Sequence, residues 1–171
     1  LSGGCQTATM LAEEYSGSVN VVDNHRISVT LRQSVLEAKH LADQGITARE
    51  IVEYLEQDGL EASIYVAVNT LEYLKRSGRV TAAGAAIGTI LNLKPVLQIQ
   101  GGKLDAYRKA RGMRPAMQTM IGGLKHDQVG RFAGQKLTIR AAYSGDAEAG
   151  AAWQAELQKA FPEMTIGLDP L

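Results

Sequence analysis

Cysteine is almost missing from this chain: Cys5 is the only one in 171 residues. A lone thiol excludes an internal disulfide and fits a reducing compartment, so the expected location is cytoplasmic. Net charge is missing as well. Eighteen Lys and Arg balance eighteen Asp and Glu, which leaves no overall field to draw the chain to nucleic acid or an anionic membrane. No apolar run approaches the roughly twenty residues of a membrane-spanning helix, and the sequence shows no secretory leader pattern. Repeats and low-complexity segments are absent too. What the chain has is apolar material, 45% of its residues. That is enough for a real core in one large or two small domains.

The usual catalytic signatures are also lacking. His25, His40 and His126 are far apart in sequence and have no Cys at ligand spacing, so they read as solvated or structural rather than metal-binding. No Gly-x-Ser-x-Gly elbow occurs. Cys5 lies near a helix start, which can lower a thiol pKa. No His stands near it in sequence, and a small packing role fits it better. Glu13, Glu14 and Asp43 fall on helix faces that read as solvated. No carboxylate pair is placed to split its pKa values. Leu1-Ser2-Gly3-Gly4 precedes a helix and can offer backbone N–H groups to an anion. It lacks the Walker Lys and the GxGxxG spacing, so a simple helix cap is the competing reading.

Taken in order, Ser2 reads as the N-cap of a helix reaching about Tyr15, with Ala8, Leu11, Ala12 and Tyr15 inward. Gly17 stops it. Val19 to Asp23 reads as a short strand. Ile27 to Asp43 reads as a long helix with Leu31, Val35, Ala38 and Leu41-Ala42 on one side, ended by Gly45. Thr47 and Glu50 form a capping box for a helix over 48–57, with Ile51, Val52 and Leu55 inward. Ser63 to Val68 reads as an apolar strand of the kind buried in a parallel sheet. Helix, strand, helix, helix, strand favours an α/β domain over residues 1–68.

Residues 69–171 read as a second, α+β domain. A short helix over 70–76 stops at Ser77-Gly78. A helix over about 80–91 follows, with small residues on one side and Ile87, Ile90 and Leu91 as an apolar stripe. Pro95 opens a strand over 95–100, Gly101-Gly102 signals a hairpin, and 103–108 reads as the return strand. Met113 to about Leu124 reads as helix with Pro115 in its first turn. Gly122-Gly123 and the residues up to Gly134 read as weak helix or loop. Lys136 to Tyr143 alternates as a half-exposed strand, Asp146 to Ala160 is a helix, and Met164 to Leu168 is a last strand. Lys75, Arg76, Arg79, Lys94, Arg108, Lys109, Arg111 and Arg114 cluster around the central stretch. They are a solvated face or a docking surface for an acidic partner.

The segment Thr70-Leu71-Glu72-Tyr73-Leu74-Lys75 is followed by Gly78-Arg79-Val80 and Gly88. Then come Leu91-Asn92-Leu93-Lys94-Pro95-Val96-Leu97, Gly102-Lys103-Leu104 and Arg111. Together these resemble the DegV family of bacterial fatty-acid-binding proteins. Leu1-Ser2-Gly3 with Gln6, and Val21-Val22-Asp23 with Ser28, extend the resemblance over most of the chain. It implies a DegV-like two-domain architecture. The first domain is a parallel α/β domain, incomplete here, and the second is α+β. It further implies chain before Leu1 and after Leu171, because the family's Thr-Ser and His-Thr-Gly-Pro-Gly motifs are not in this sequence. Asn69 departs from the family's usual Asp, and Thr30 and Arg32 from its frequent glycines.

The implied role is non-catalytic. A long-chain fatty acid, with no cofactor, is held between two domains, and its carboxylate is presented to an ATP-dependent fatty acid kinase that feeds phospholipid synthesis. The implied lipid-binding residues are Ser2 and Gly3 beside the carboxylate. Ala83, Gly84, Ile87, Gly88 and Leu91 would form a tunnel wall whose small side chains leave room for a slender tail. Arg79 and Arg111 match the arginines implied in kinase contact. The alternatives are a small hydrolase or kinase-like enzyme centred on Ser2 or Cys5, or a structural fragment without ligand. The isolated chain is therefore expected to hydrolyse neither ATP nor esters. Hydrolysis abolished by Ser2→Ala or Cys5→Ala would support the enzyme instead.

Overall fold

The computed structural model describes residues 3–79, 93–101 and 103–171. The helix read over 80–91 lies outside the described residues. Two compact units share the chain, one comprising Leu1–Ala62 and Gln100–Gly102, the other Ser63–Ile99 and Lys103–Leu171. The division falls at Ala62/Ser63, where the sequence reading placed it after residue 68.

The first unit is helical. Helix α1 spans Gly4–Ala12 and runs into a single 3-10 turn, Glu13–Tyr15. Its N-cap is Gly3, with no side-chain cap bond. Ser16 and Gly17, at φ 49° and 81°, end it in the left-handed region. Helix α2 covers Ser28–Asp43 and helix α3 covers Ala48–Asp58. The stop between them is a Schellman motif, built from local hydrogen bonds. Gly45, at φ 80°, donates to the Ala42 carbonyl, and Ile46 donates to that of Leu41. The expected capping box is present. The Glu50 N–H donates to Thr47 Oγ1 at 3.3 Å, and the Thr47 N–H donates to Glu50 Oε2 at 3.0 Å. The Thr47 hydroxyl and then its backbone hold the Glu50 carboxyl below its usual pKa.

Two expectations fail in this unit. Val19 to Asp23 forms no strand, because an extended segment becomes one only through a ladder and none is made among the described residues. The predicted inward faces of α1 and α2 are open. Leu11 is 56% exposed, Tyr15 59% and Val35 62%, whereas Ser34 is buried. Helical periodicity shows that a helix has an apolar face, not that a neighbour covers it.

The second unit contains strand β1 (Ile64–Ala67), helix α4 (Glu72–Arg76), and strands β2 (Leu93–Gln100) and β3 (Lys103–Arg111). Then come helix α5 (Met113–Val129), strand β4 (Arg140–Tyr143), helix α6 (Ala147–Ala160) and strand β5 (Gly167–Pro170). One sheet has the order β1-β2-β3, the other pairs β4 with β5 in parallel. Strand β1 was read as part of a parallel sheet, but it is antiparallel to β2, with Ile64 opposite Ile99 and Ala67 opposite Val96. A short, continuously apolar strand has the same residue pattern in either kind of sheet. Strand β3 runs three residues beyond the predicted 108. Strand β4 is paired only from Arg140, because its partner β5 is four residues long and starts at Gly167 rather than Met164.

Side chains alternate across β2 as pleating requires. Leu97 and Ile99 pack with Leu71 and Leu104 on one face, and Val96 packs with Ala110, Ala116 and Met120 on the other. Helix α5 thus covers one face of the three-stranded sheet. Its Ile121 belongs to another cluster, with Ile139, Ala141, Leu157, Phe161 and Ile166 around β4, α6 and β5. Trp153 of α6 touches both clusters. Asp146, read as the first residue of this helix, is instead its N-cap and accepts from the Glu148 N–H at 2.9 Å.

Helix α5 does not weaken at Gly122-Gly123 but continues to Val129. The reason is tertiary. A Cβ on Gly123 would stand 2.6 Å from the Tyr65 ring, whereas one on Gly122 would meet nothing within 4 Å. Gly123 is therefore a contact glycine and Gly122 a replaceable one. Gly122→Ala is expected to stabilise the unit by up to about 1 kcal/mol through helix propensity. Gly123→Ala should destabilise it by about 1–3 kcal/mol through overpacking. Denaturant unfolding of the two variants checks the contrast, and equal effects would refute it.

Candidate functional site

Of the residues singled out for lipid or partner binding, Gly3, Arg79 and Arg111 are described. Ser2, Ala83, Gly84, Ile87, Gly88 and Leu91 lie outside the described residues. Gly3 is in the first unit, and the two arginines are in the second.

Gly3 is exposed at the start of α1. Its carbonyl accepts from the Thr7 N–H at 3.0 Å and from the Thr7 hydroxyl at 3.2 Å. A Cβ there would meet nothing within 4 Å. Gly3 itself carries no side chain, and the start of a helix bears a partial positive charge. Cys5, the second residue of the helix, is partly buried, and its carbonyl takes the Thr9 hydroxyl at 3.0 Å.

Arg79 is placed by another Schellman motif. Gly78, at φ 63°, donates to the Lys75 carbonyl, and the Arg79 N–H donates to that of Leu74 at 3.0 Å. The backbone of Arg79 is tied to the end of α4 while its side chain stands in solvent. Arg111 closes β3, ahead of Gly112 at φ 92°, the residue that turns the chain into α5. It too is exposed. Among the described residues, neither arginine has an ion-pair or side-chain hydrogen-bond partner. Their basic neighbours differ. Arg76 Nη2 lies 2.5 Å from Glu72 Oε1, Lys94 Nζ donates to Asn69 Oδ1 at 2.9 Å, and Arg108 lies over the Tyr107 ring at 5.6 Å.

The three histidines fall on separate elements. His25 Nδ1 lies 3.1 Å from Asp23 Oδ1, His40 of α2 faces Gln44 at that helix's C-cap, and His126 is exposed near the end of α5. No group of three or more His, Cys, Asp and Glu that could hold a metal occurs among the described residues.

Sequence reasoning missed two polar centres. One is Arg26, whose side chain is only 7% exposed. Its Nη2 pairs with Asp58 Oδ2 at 2.9 Å and donates to the Asp58 carbonyl. Nη1 reaches Ser34 Oγ at 3.3 Å, and Nε reaches the Gly59 carbonyl at 3.4 Å. The flanking His25 and Ser28 take left-handed backbone, φ 57° and 53°, and Asn24 Oδ1 accepts from the Arg26 N–H. Gly59 permits the approach, since a Cβ there would lie 2.4 Å from the Asn24 carbonyl oxygen. The Asp58-Gly59 pair after an amphipathic helix was the available signal.

The other centre joins Tyr65, Gln98 and Asp127. The Tyr65 hydroxyl donates to Asp127 Oδ2 at 2.8 Å and accepts from Gln98 Nε2 at 2.7 Å. Asp127 is buried, and the Tyr107 ring meets that of Tyr65 edge-on at 4.9 Å. Burial first, and then the Asp127 carboxylate, push the Tyr65 phenol above its usual pKa. A raised folded-state pKa means the neutral phenol stabilises the fold. That contribution is complete below the unfolded value of about 10 and is lost as pH rises through the folded one. Tyr65→Phe should flatten the alkaline loss of stability in a pH-dependent melt, and an unchanged alkaline limb would refute this.

Comparison with known proteins places the whole arrangement. A DegV family model, described for uncharacterised proteins, matches residues 1–171. A DegV domain-containing protein of Deinococcus radiodurans is 34% identical over 146 residues, covering 85% of this chain and 52% of the relative. One from Streptomyces coelicolor is 39% identical over 111 residues, covering 65% of this chain and 40% of the relative. This chain therefore spans about half the length of such relatives. Among solved structures, a fatty-acid-binding DegV family protein of Thermus thermophilus is similar at 34% identity with a TM-score of 0.82. That match covers 99% of this chain and 60% of the other. A DegV family protein of Corynebacterium glutamicum shares the fold with a TM-score of 0.85 at 20% identity, over 99% of this chain and 64% of the other. The α/β arrangement and the sequence agree along the full length, and the chain belongs to the DegV family.

Proposed function

We propose that this protein is a non-catalytic carrier of a long-chain fatty acid and presents the carboxylate to an ATP-dependent fatty acid kinase. The observation that supports the lipid part most is the 34% identity, at a TM-score of 0.82, to the fatty-acid-binding protein of Thermus thermophilus. The exposed Arg79 and Arg111, without partners among the described residues, support the docking part. In this reading Ser2 and Gly3 receive the carboxylate. Ala83, Gly84, Ile87, Gly88 and Leu91 line the path of the tail. Burial of the tail supplies about 0.8 kcal/mol per methylene, which favours long chains over short ones.

Native mass spectrometry of the intact protein with palmitate or oleate tests the lipid reading. The expected result is a retained mass of one fatty acid. An intact, folded protein that retains neither overturns it. Gly84→Leu and Gly88→Leu, which add bulk to the proposed tail path, should each weaken that retention, and parental affinity in either would remove these residues from the proposed path.

Docking is tested separately, with Arg79→Ala and Arg111→Ala in the intact protein. Both positions are exposed, so stability should change by no more than about 0.5 kcal/mol, and fatty-acid affinity should hold. Phosphorylation of the bound lipid by the cognate kinase should slow. The deficit should shrink as salt rises, because exposed charges are screened over roughly 8–10 Å at physiological ionic strength. A large fall in melting temperature with normal kinase coupling would assign the arginines to the fold instead.

A further inference from the structure

We draw no further inference here: the strongest candidate, the apolar side chains that α1 and α2 each leave exposed, Met10 and Leu11 on one and Leu31 and Val35 on the other, carries no proposal because nothing in the structure shows what covers them.

Discussion

The second unit depends on how closely α5 can lie against β1. The Tyr65 ring occupies the space that a side chain at Gly123 would need, and its hydroxyl reaches Asp127 one turn further on. Both contacts fix the same short length of helix, one by shape and one by a hydrogen bond. A buried carboxylate is costly without a donor, so Asp127 holds the helix in one register over the sheet. Gln98, donating to the same hydroxyl from β2, ties the central strand into the lock. With α5 set, Ile121 is presented to the β4–β5 pair, and the second cluster can form around Leu157.

In the first unit a polar hub does the comparable work. The guanidinium of Arg26 gathers the end of α3 and the middle of α2 around a segment with no strand of its own. Its rigid fork of donors suits several acceptors at once, where a lysine would offer one point charge. The left-handed His25 and Ser28 on either side show that the backbone bends to bring Arg26 inward. Removing such a buried, paired cation leaves its partners desolvated and unmatched, so this hub is a requirement of the fold rather than an ornament on it.

Against these buried centres, Gly3, Arg79 and Arg111, the described residues proposed for binding, are exposed. Arg79 follows a glycine helix stop, and Arg111 precedes Gly112, the N-cap of α5. Loops and element ends carry function because a rigid scaffold positions them while their side chains remain free. The locks at Tyr65 and Arg26 supply that rigidity, each in its own unit.

Much of this was legible in the sequence, because the signals are local. The capping box at Thr47, the glycine stops at Gly45 and Gly78 and the hairpin glycine each act within a few residues. The resemblance carried by Thr70–Lys75 and Leu91–Leu97 gave the family, since motif matching needs no geometry. Other features depended on partners distant in the chain. The antiparallel pairing of β1, the continuation of α5 through Gly122-Gly123, and the open faces of Leu11 and Val35 are all of this kind. So are the buried roles of Arg26 and Asp127. Composition and spacing determine which segments become helices and, where a cap or glycine stop is present as at Thr47, Gly45 and Gly78, where they begin or end, through interactions spanning a turn or two. Only the tertiary structure decides which glycine must remain bare and which charge is buried, because those depend on atoms that folding brings together from tens of residues away.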